Sequence, residues 1–192
     1  MLTVLSMSAQ IERKLFTIDD CDRMSEAGIL QPEERVELIN GEIIVMRPPG
    51  PRHGAAVDGT NRAFVRLLDD EAIVRVQGCV VLHEFAAPLP DIALLALRTD
   101  LYAGRNPGPS DVLLIIEVSD STLEYDSTAK LELYAMAGIP EYWVADLKSN
   151  RLMVYSQPQG DAYSTVRELH RGEIVAPMLL PECLIPVDLL LP

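Results

Sequence analysis

Two acidic residues interrupt segments that otherwise have the composition of buried strands, and this placement points to metal chemistry. Glu117 lies near the end of the run VLLIIEV, and Asp91 opens the run DIALLAL directly after Pro90. An unpaired carboxylate in such a strand would be costly, so each one needs a metal, a cationic partner or hydrogen-bond donors. Two carboxylates on neighbouring central strands can converge on one divalent cation that prefers oxygen ligands, such as Mg²⁺ or Mn²⁺.

Lys130 lies on the next predicted helix and could bring a positive charge to the same place. An ammonium group there could orient a water molecule or stabilise negative charge that develops on a phosphate. Asp126 lies four residues earlier, which would place both side chains on one face of a continuous helix. A structural interpretation is also open, in which Asp91 is a turn residue and Glu117 pairs with an arginine. Asp126 and Lys130 would then form an ordinary surface pair.

Three further residues are auxiliary candidates, and each has a structural alternative. His53 begins a predicted helix after a proline-rich turn, where it could bind a metal, contact a phosphate or serve only the structure. Glu37 is the second candidate, and together with Glu42 it flanks the Asn40–Gly41 turn of a predicted hairpin. We expect at most one of them to face the site, and exposed strand carboxylates are the favoured interpretation. Asp126 is the third auxiliary candidate.

The segments around these residues predict a mixed α/β protein. The strongest local signal is VELINGEIIV, which alternates around an Asn-Gly pair and is typical of a β-hairpin. Helices are predicted at 20–27, 52–71 and 126–137, and further strands at 73–82, 90–97, 111–118, 141–147 and 151–157. A bulge is expected at Gly78, and the proline-containing tail, 163–192, predicts edge strands that wrap the domain. We therefore expect a loose lead-in over 1–14 and one domain over 15–192, with a central mixed sheet flanked by helices.

Composition narrows the class of protein. The 192 residues are 48% hydrophobic, which suits one globular domain with a full core. The net charge of −13 argues against strong non-specific affinity for nucleic acid but leaves room for a nuclease, because a bound divalent cation inverts the local field. Three cysteines without a CxxC pair disfavour a thiolate zinc site and a disulfide framework. We find no signal-peptide pattern and no long apolar run, so a cytoplasmic protein without a membrane span is expected.

The motifs taken together resemble the Uma-type restriction-endonuclease family, which belongs to the PD-(D/E)xK nuclease superfamily. The resemblance is carried by PLPDIALL, by DVLLIIEVSDSTLEYDSTAKLELYAMAGIPEYWVADL, and upstream by ERVELINGEIIVM and PPGPRH. It implies a restriction-endonuclease-like core in which Asp91 is the PD acid and Glu117 is the acid of the ExK strand. Ser119 occupies the usual place of the superfamily lysine. In these relatives the lysine has moved to the helix, where Lys130 fills its position, and His53 matches a family histidine.

The resemblance implies a divalent-metal-dependent endonuclease that hydrolyses DNA phosphodiester bonds. Asp91 and Glu117 would hold Mg²⁺ or Mn²⁺, and Lys130 would orient water or stabilise phosphate charge. A homodimer is expected by analogy, because cutting both strands of a duplex invites two sites. A catalytically silent scaffold or interaction protein with the nuclease fold is the alternative. A two-carboxylate glycosidase would need a sugar cleft lined by several aromatic residues, and only 5% of the chain is aromatic.

Overall fold

The computed structural model describes residues 12–192, so most of the predicted lead-in lies outside the described residues. The helices are α1 (Ile18–Glu26), α2 (Pro51–Leu68), α3 (Leu123–Asp126) and α4 (Ala129–Met136). The strands are β1 (Val36–Ile39), β2 (Glu42–Val45), β3 (Ala72–Val76), β4 (Ile92–Ala96), β5 (Val112–Ser119), β6 (Glu141–Asp146), β7 (Arg151–Gln159), β8 (Ala162–His170), β9 (Ile174–Val175) and β10 (Ile185–Pro186). Within 12–192, no helix combines the length and the apolar character needed to span a membrane.

A mixed sheet forms the centre of the molecule, as the sequence predicts, and the structure gives it six strands. Its strand order is β3-β4-β5-β6-β7-β8, and all neighbours are antiparallel except β5 and β6. Helices α3 and α4 connect these two parallel strands. Strand β5 is central and buried along nearly all of its length, which explains why its sequence is almost continuously apolar.

The sheet separates two apolar cores. One core packs against α2 and the C-terminal segment, and it contains Phe64 and Trp143. The other core packs against α4 and the hairpin, and it contains Tyr134 and Tyr142. Tyr142 and Trp143 point to opposite faces of β6, and both side chains are fully buried. Side chains alternate between the two faces along a strand, so Glu117 lies on the face covered by α4 and the hairpin.

The predicted hairpin is formed by β1 and β2. Asn40 and Gly41 have φ angles of 51° and 79°, as the two central residues of a tight hairpin turn require. The hairpin lies against the 85–87 segment through two main-chain hydrogen bonds, from Gly41 N–H to Phe85 O (2.8 Å) and from Ala87 N–H to Leu38 O (2.8 Å). These contacts bring β1 close to the sheet.

Two predicted elements differ in the structure. The helix expected at 126–137 is broken into α3 and α4 at Ser127 and Thr128. The Asp126 carboxylate accepts hydrogen bonds from Ser119 and Thr122, which hold α3 against the end of β5. The strand expected at 73–82 ends at Val76, without the predicted bulge, because Gln77 turns to a φ of 49°. In the tail, β8 forms one of the two edges of the six-stranded sheet, and β9 and β10 form a separate short pair.

Candidate active site

The register of β4 and β5 brings Asp91 and Glu117 together. Ile92 is paired with Ile116, so each acidic residue lies one position beyond this pair at the same end of the sheet. The Asp91 N–H donates to Glu117 Oε2 (3.3 Å), and the Val118 N–H donates to Asp91 Oδ2 (2.9 Å). Only 8% of Asp91 and 3% of Glu117 is exposed. The two carboxylates that the sequence predicts as a metal pair are therefore buried neighbours.

Lys130 reaches the same place from α4 and pairs with two carboxylates. Its Nζ donates to Glu117 Oε1 (2.9 Å) and to Glu37 Oε1 (3.0 Å). The Tyr134 hydroxyl also donates to Glu117 Oε1 (2.9 Å), and the Leu89 N–H donates to Glu37 Oε1 (2.8 Å). The cationic partner of Glu117 is therefore a lysine from the following helix, rather than an arginine.

The favoured interpretation of Glu37 as an exposed strand carboxylate is wrong. Glu37 is 1% exposed, and its Oε2 is buried without a hydrogen-bond partner among residues 12–192. Glu42 is exposed at the turn end of the hairpin, where it pairs with Arg13. Only Glu37 faces the site, because the docked hairpin covers β1 and leaves the start of β2 open to solvent.

Burial and neighbouring charges act in opposite directions on the pKa values of Glu117 and Lys130. Burial raises the pKa of Glu117 to about 8, while the nearby Lys130 ammonium works to lower it. Burial works to lower the pKa of Lys130, but the charges of Glu117 and Glu37 hold it above its ordinary value. Lys130 is therefore a cation at neutral pH, and the pKa of the Glu117 carboxyl is set by the opposing effects of burial and of this ammonium.

Asp91 has a different set of partners. It contacts His53 through Oδ2 and Nε2 (3.0 Å), and Gln77 Nε2 donates to its Oδ1 (3.1 Å). Burial works to raise the pKa of Asp91, but the hydrogen bond and charge of His53 hold it below its ordinary value. The hydrogen bond to Asp91 raises the pKa of His53, against the effect of burial. Asp91 is therefore ionised at neutral pH.

Gln77 is a site residue that the sequence reasoning missed. Its side chain fixes Asp91, and its N–H donates to Asp91 O (3.0 Å). A glutamine after an apolar strand carries no chemical signal of its own. The one available signal is the break in the strand pattern at Gly78, which by itself predicts a bulge within a longer strand.

Asp126 lies at the site but does not pair with Lys130 as a surface couple. Both residues are buried, and the break between α3 and α4 removes the shared helix face expected from their spacing. The hydroxyls of Ser119 and Thr122 donate to Asp126 Oδ2. Burial raises the pKa of Asp126. The surface-pair interpretation is therefore wrong.

These groups lie on the floor of a cleft of about 420 Å³. The hairpin and the proline-rich turn form one wall, and the end of β5 with α3 forms the other. The lining includes Arg35, Met46, Arg47, His53, Gln77, Asp91, Glu117, Asp120, Tyr125, Asp126 and Lys130. Every predicted site residue except Glu37 lines this cleft, and Glu37 lies behind Lys130.

The donor set fits a hard divalent cation. Within residues 12–192, no group of three or more histidine, cysteine, aspartate or glutamate side chains is placed to hold a metal. Among the acidic residues that line the cleft, Asp91 and Glu117 are the adjacent pair on neighbouring strands. Mg²⁺ is commonly held by one or two carboxylates and completes its shell with water and substrate phosphates. The pair therefore suits a cation that shares its coordination with the substrate.

Sequence and structure comparisons indicate a restriction-endonuclease-like nuclease. The Uma2 family, described as "Putative restriction endonuclease", matches residues 18–188, and the chain belongs to this family. A crystal structure described as "a putative nuclease belonging to DUF820", from Anabaena variabilis ATCC 29413, has the same fold, with a TM-score of 0.70 and 17% sequence identity. The alignment covers 91% of this chain and 97% of that one. No curated protein matches the sequence.

Proposed function

We propose that the protein is a divalent-metal-dependent endonuclease that hydrolyses DNA phosphodiester bonds. The observation that carries this proposal is the juxtaposition of Asp91 and Glu117 on adjacent strands at the floor of the cleft, where each carboxylate accepts a hydrogen bond from a backbone N–H of the other strand. The Lys130 ammonium lies 2.9 Å from Glu117. Membership of a family described as restriction endonucleases supports the same chemistry.

Each residue of the cluster has a role that follows from its contacts. Asp91 and Glu117 would hold Mg²⁺ or Mn²⁺, which when bound polarises the scissile phosphate and lowers the pKa of the attacking water. His53 and Gln77 orient the Asp91 carboxylate. An ammonium has three N–H donors, and Lys130 uses two on glutamates. The third can orient a water molecule or neutralise charge on the phosphate.

A catalytically silent scaffold is the second candidate, and one observation favours it. Protein donors already occupy both oxygens of Asp91 and both oxygens of Glu117. A polar network satisfied in this way is also what a purely structural cluster requires.

The single domain over 15–192, the homodimer and the cytoplasmic location stay predictions from the sequence.

Metal titration combined with plasmid nicking separates the two candidates. We expect the wild type to bind Mn²⁺ by calorimetry and to nick supercoiled DNA in Mg²⁺ or Mn²⁺, with nicking abolished by a chelator. Asp91→Asn should lose both properties. Asp58→Asn is the matched control, because Asp58 is exposed on α2 and lies outside the cleft.

Two outcomes would count against the endonuclease proposal or its site. Wild-type nicking no greater than that of Asp91→Asn would favour the silent scaffold. Nicking that persists unchanged in Asp91→Asn would place the active site elsewhere.

A further inference from the structure

Two arginines frame the open end of the hairpin at the rim of the cleft. The last β1–β2 pair is Val36 with Val45, and beyond it the Met46 N–H donates to the Arg35 carbonyl (2.8 Å). Arg35 therefore leaves the hairpin beside Met46, one residue from Arg47. Both arginines line the same cleft as Asp91 and Glu117.

Neither guanidinium has an acidic partner. Within residues 12–192, Arg35 and Arg47 make no salt bridge and no side-chain hydrogen bond, whereas Arg105 and Arg151 are bound by aspartates. Residues 1–11 contain no aspartate or glutamate. Two uncompensated cations therefore face a cleft in a protein of net charge −13. A guanidinium presents a planar fork of donors that matches the oxygens of a phosphate.

The size and depth of the cleft restrict what can reach its floor. A volume of about 420 Å³ is at the lower end of the range of about 300–1,000 Å³ that is typical of small-ligand pockets. This volume has room for a nucleotide-sized group but not for the body of a duplex. The carboxylates of Asp91 and Glu117, which would hold the metal, are nearly buried. An unpaired strand, including one that negative supercoiling opens in a plasmid, can bring the phosphate of a single nucleotide to them.

We propose that the substrate is single-stranded DNA, and that Arg35 and Arg47 bind its backbone phosphates next to the phosphate above Asp91 and Glu117. This inference rests on the proposed function and names the substrate class of the same site. The rim arginines place two cations beside a cleft that is also lined by the carboxylates of Asp91, Glu117, Asp120 and Asp126. They are binding residues for the strand and take no part in bond cleavage.

Equilibrium binding tests the inference without requiring cleavage. A labelled single-stranded oligodeoxynucleotide and its duplex are titrated with protein in a chelator over a series of salt concentrations. We expect Arg35→Gln/Arg47→Gln to weaken single-strand binding at least about tenfold at low salt. The slope of log K against log salt should fall by about 1.4, which is about 0.7 for each lost phosphate contact. Unchanged thermal unfolding should confirm that the variant folds, because neither side chain has a partner to lose.

A second arginine pair provides the control. Arg62 and Arg66 are exposed on α2, outside the cleft, and Arg62→Gln/Arg66→Gln changes the net charge by the same amount. This variant should bind the single strand like the wild type. An equal loss in both variants would overturn the inference, because only net charge would then matter. Tighter wild-type binding to the duplex would also overturn it.

The failure of the proposed function has a different signature. Arginine-dependent binding of the single strand, without cleavage when Mn²⁺ is added, would contradict the endonuclease proposal and leave the binding inference supported. Cleavage of the single strand that is indifferent to Arg35→Gln/Arg47→Gln, together with unchanged binding, would retain the enzyme and overturn the role of the arginines.

Discussion

Two buried glutamates on the parallel strands β5 and β6 have opposite surroundings. Glu117 and Glu141 are both almost inaccessible, and burial raises the pKa of each carboxyl above its ordinary value. Glu117 contacts a cation, Lys130, and lies beside a second carboxylate at the floor of the cleft. Glu141 lies outside the cleft and accepts hydrogen bonds from Trp143 Nε1 (2.9 Å) and the Met178 N–H.

The difference shows that burial and a raised pKa do not identify a catalytic carboxylate. Each oxygen of Glu141 accepts from one neutral donor, and this fixes the C-terminal segment at Met178 to the sheet. Glu117 instead shares a charged network that opens to solvent through the cleft. The type of partner and the access to substrate therefore separate a structural glutamate from a candidate metal ligand.

The largest expected effect comes from removing Lys130, the cation that contacts Glu117. Lys130→Met leaves Glu117 and Glu37 buried without their counter-charge. We expect unfolding in urea to show a loss of about 3–5 kcal/mol of stability. Nicking should fall at least about a hundredfold, the usual scale for one lost transition-state contact.

A double variant separates stability from chemistry at Lys130. Lys130→Met/Glu37→Gln removes one of the stranded charges, so part of the lost stability should return while nicking stays low. Lys130→Arg should also nick poorly, because a planar fork does not replace a compact ammonium. Nicking by Lys130→Met at the wild-type rate would remove Lys130 from the catalytic group.

Replacing Glu117 or Glu141 by glutamine should affect different properties, activity for Glu117 and stability for Glu141. Glu117→Gln should abolish divalent binding and reduce nicking at least about a hundredfold while the protein stays folded, because it removes a buried charge that lies next to Asp91. Glu141→Gln should leave the rate unchanged and cost about 1–3 kcal/mol, because one donor loses its acceptor. Calorimetry, nicking and urea unfolding of both variants measure this. A Glu117→Gln protein that unfolds, yet binds metal normally in its folded fraction, would make Glu117 a structural ion-pair residue.

The smallest expected effect is a pH dependence at Glu141. Its pKa in the folded protein is raised above the ordinary value of 4.5, so folding favours the protonated carboxyl. The stability that this preference contributes is present below pH 4.5 and is lost as the pH rises through the folded-state pKa. The stability advantage of the wild type over Glu141→Gln should therefore shrink as the pH rises from 4.5. An advantage that grows over this range would contradict the raised pKa.

Local sequence was enough to predict the elements that carry the site. The Asn40–Gly41 pair specifies its own turn, because both residues tolerate a positive φ. The apolar run of β5 specifies a central strand, and an acidic residue inside it needs a partner wherever the strand lies. Asp91 and Glu117 were therefore recognisable as candidates, and the surrounding motifs indicated the family. These signals depend on residues that are close together along the chain.

The composition of the charged cluster was decided only by the tertiary structure. Glu37 meets Lys130 across 93 positions of sequence, after the hairpin has packed over the sheet. Gln77 reaches Asp91 because β3 ends where β4 begins. The break at Ser127 depends on hydrogen bonds from the end of β5 to Asp126. The alternation of residues along a strand or helix shows which face a residue occupies. Its partner on that face is set by long-range packing, because packing determines which charged side chains share one buried space.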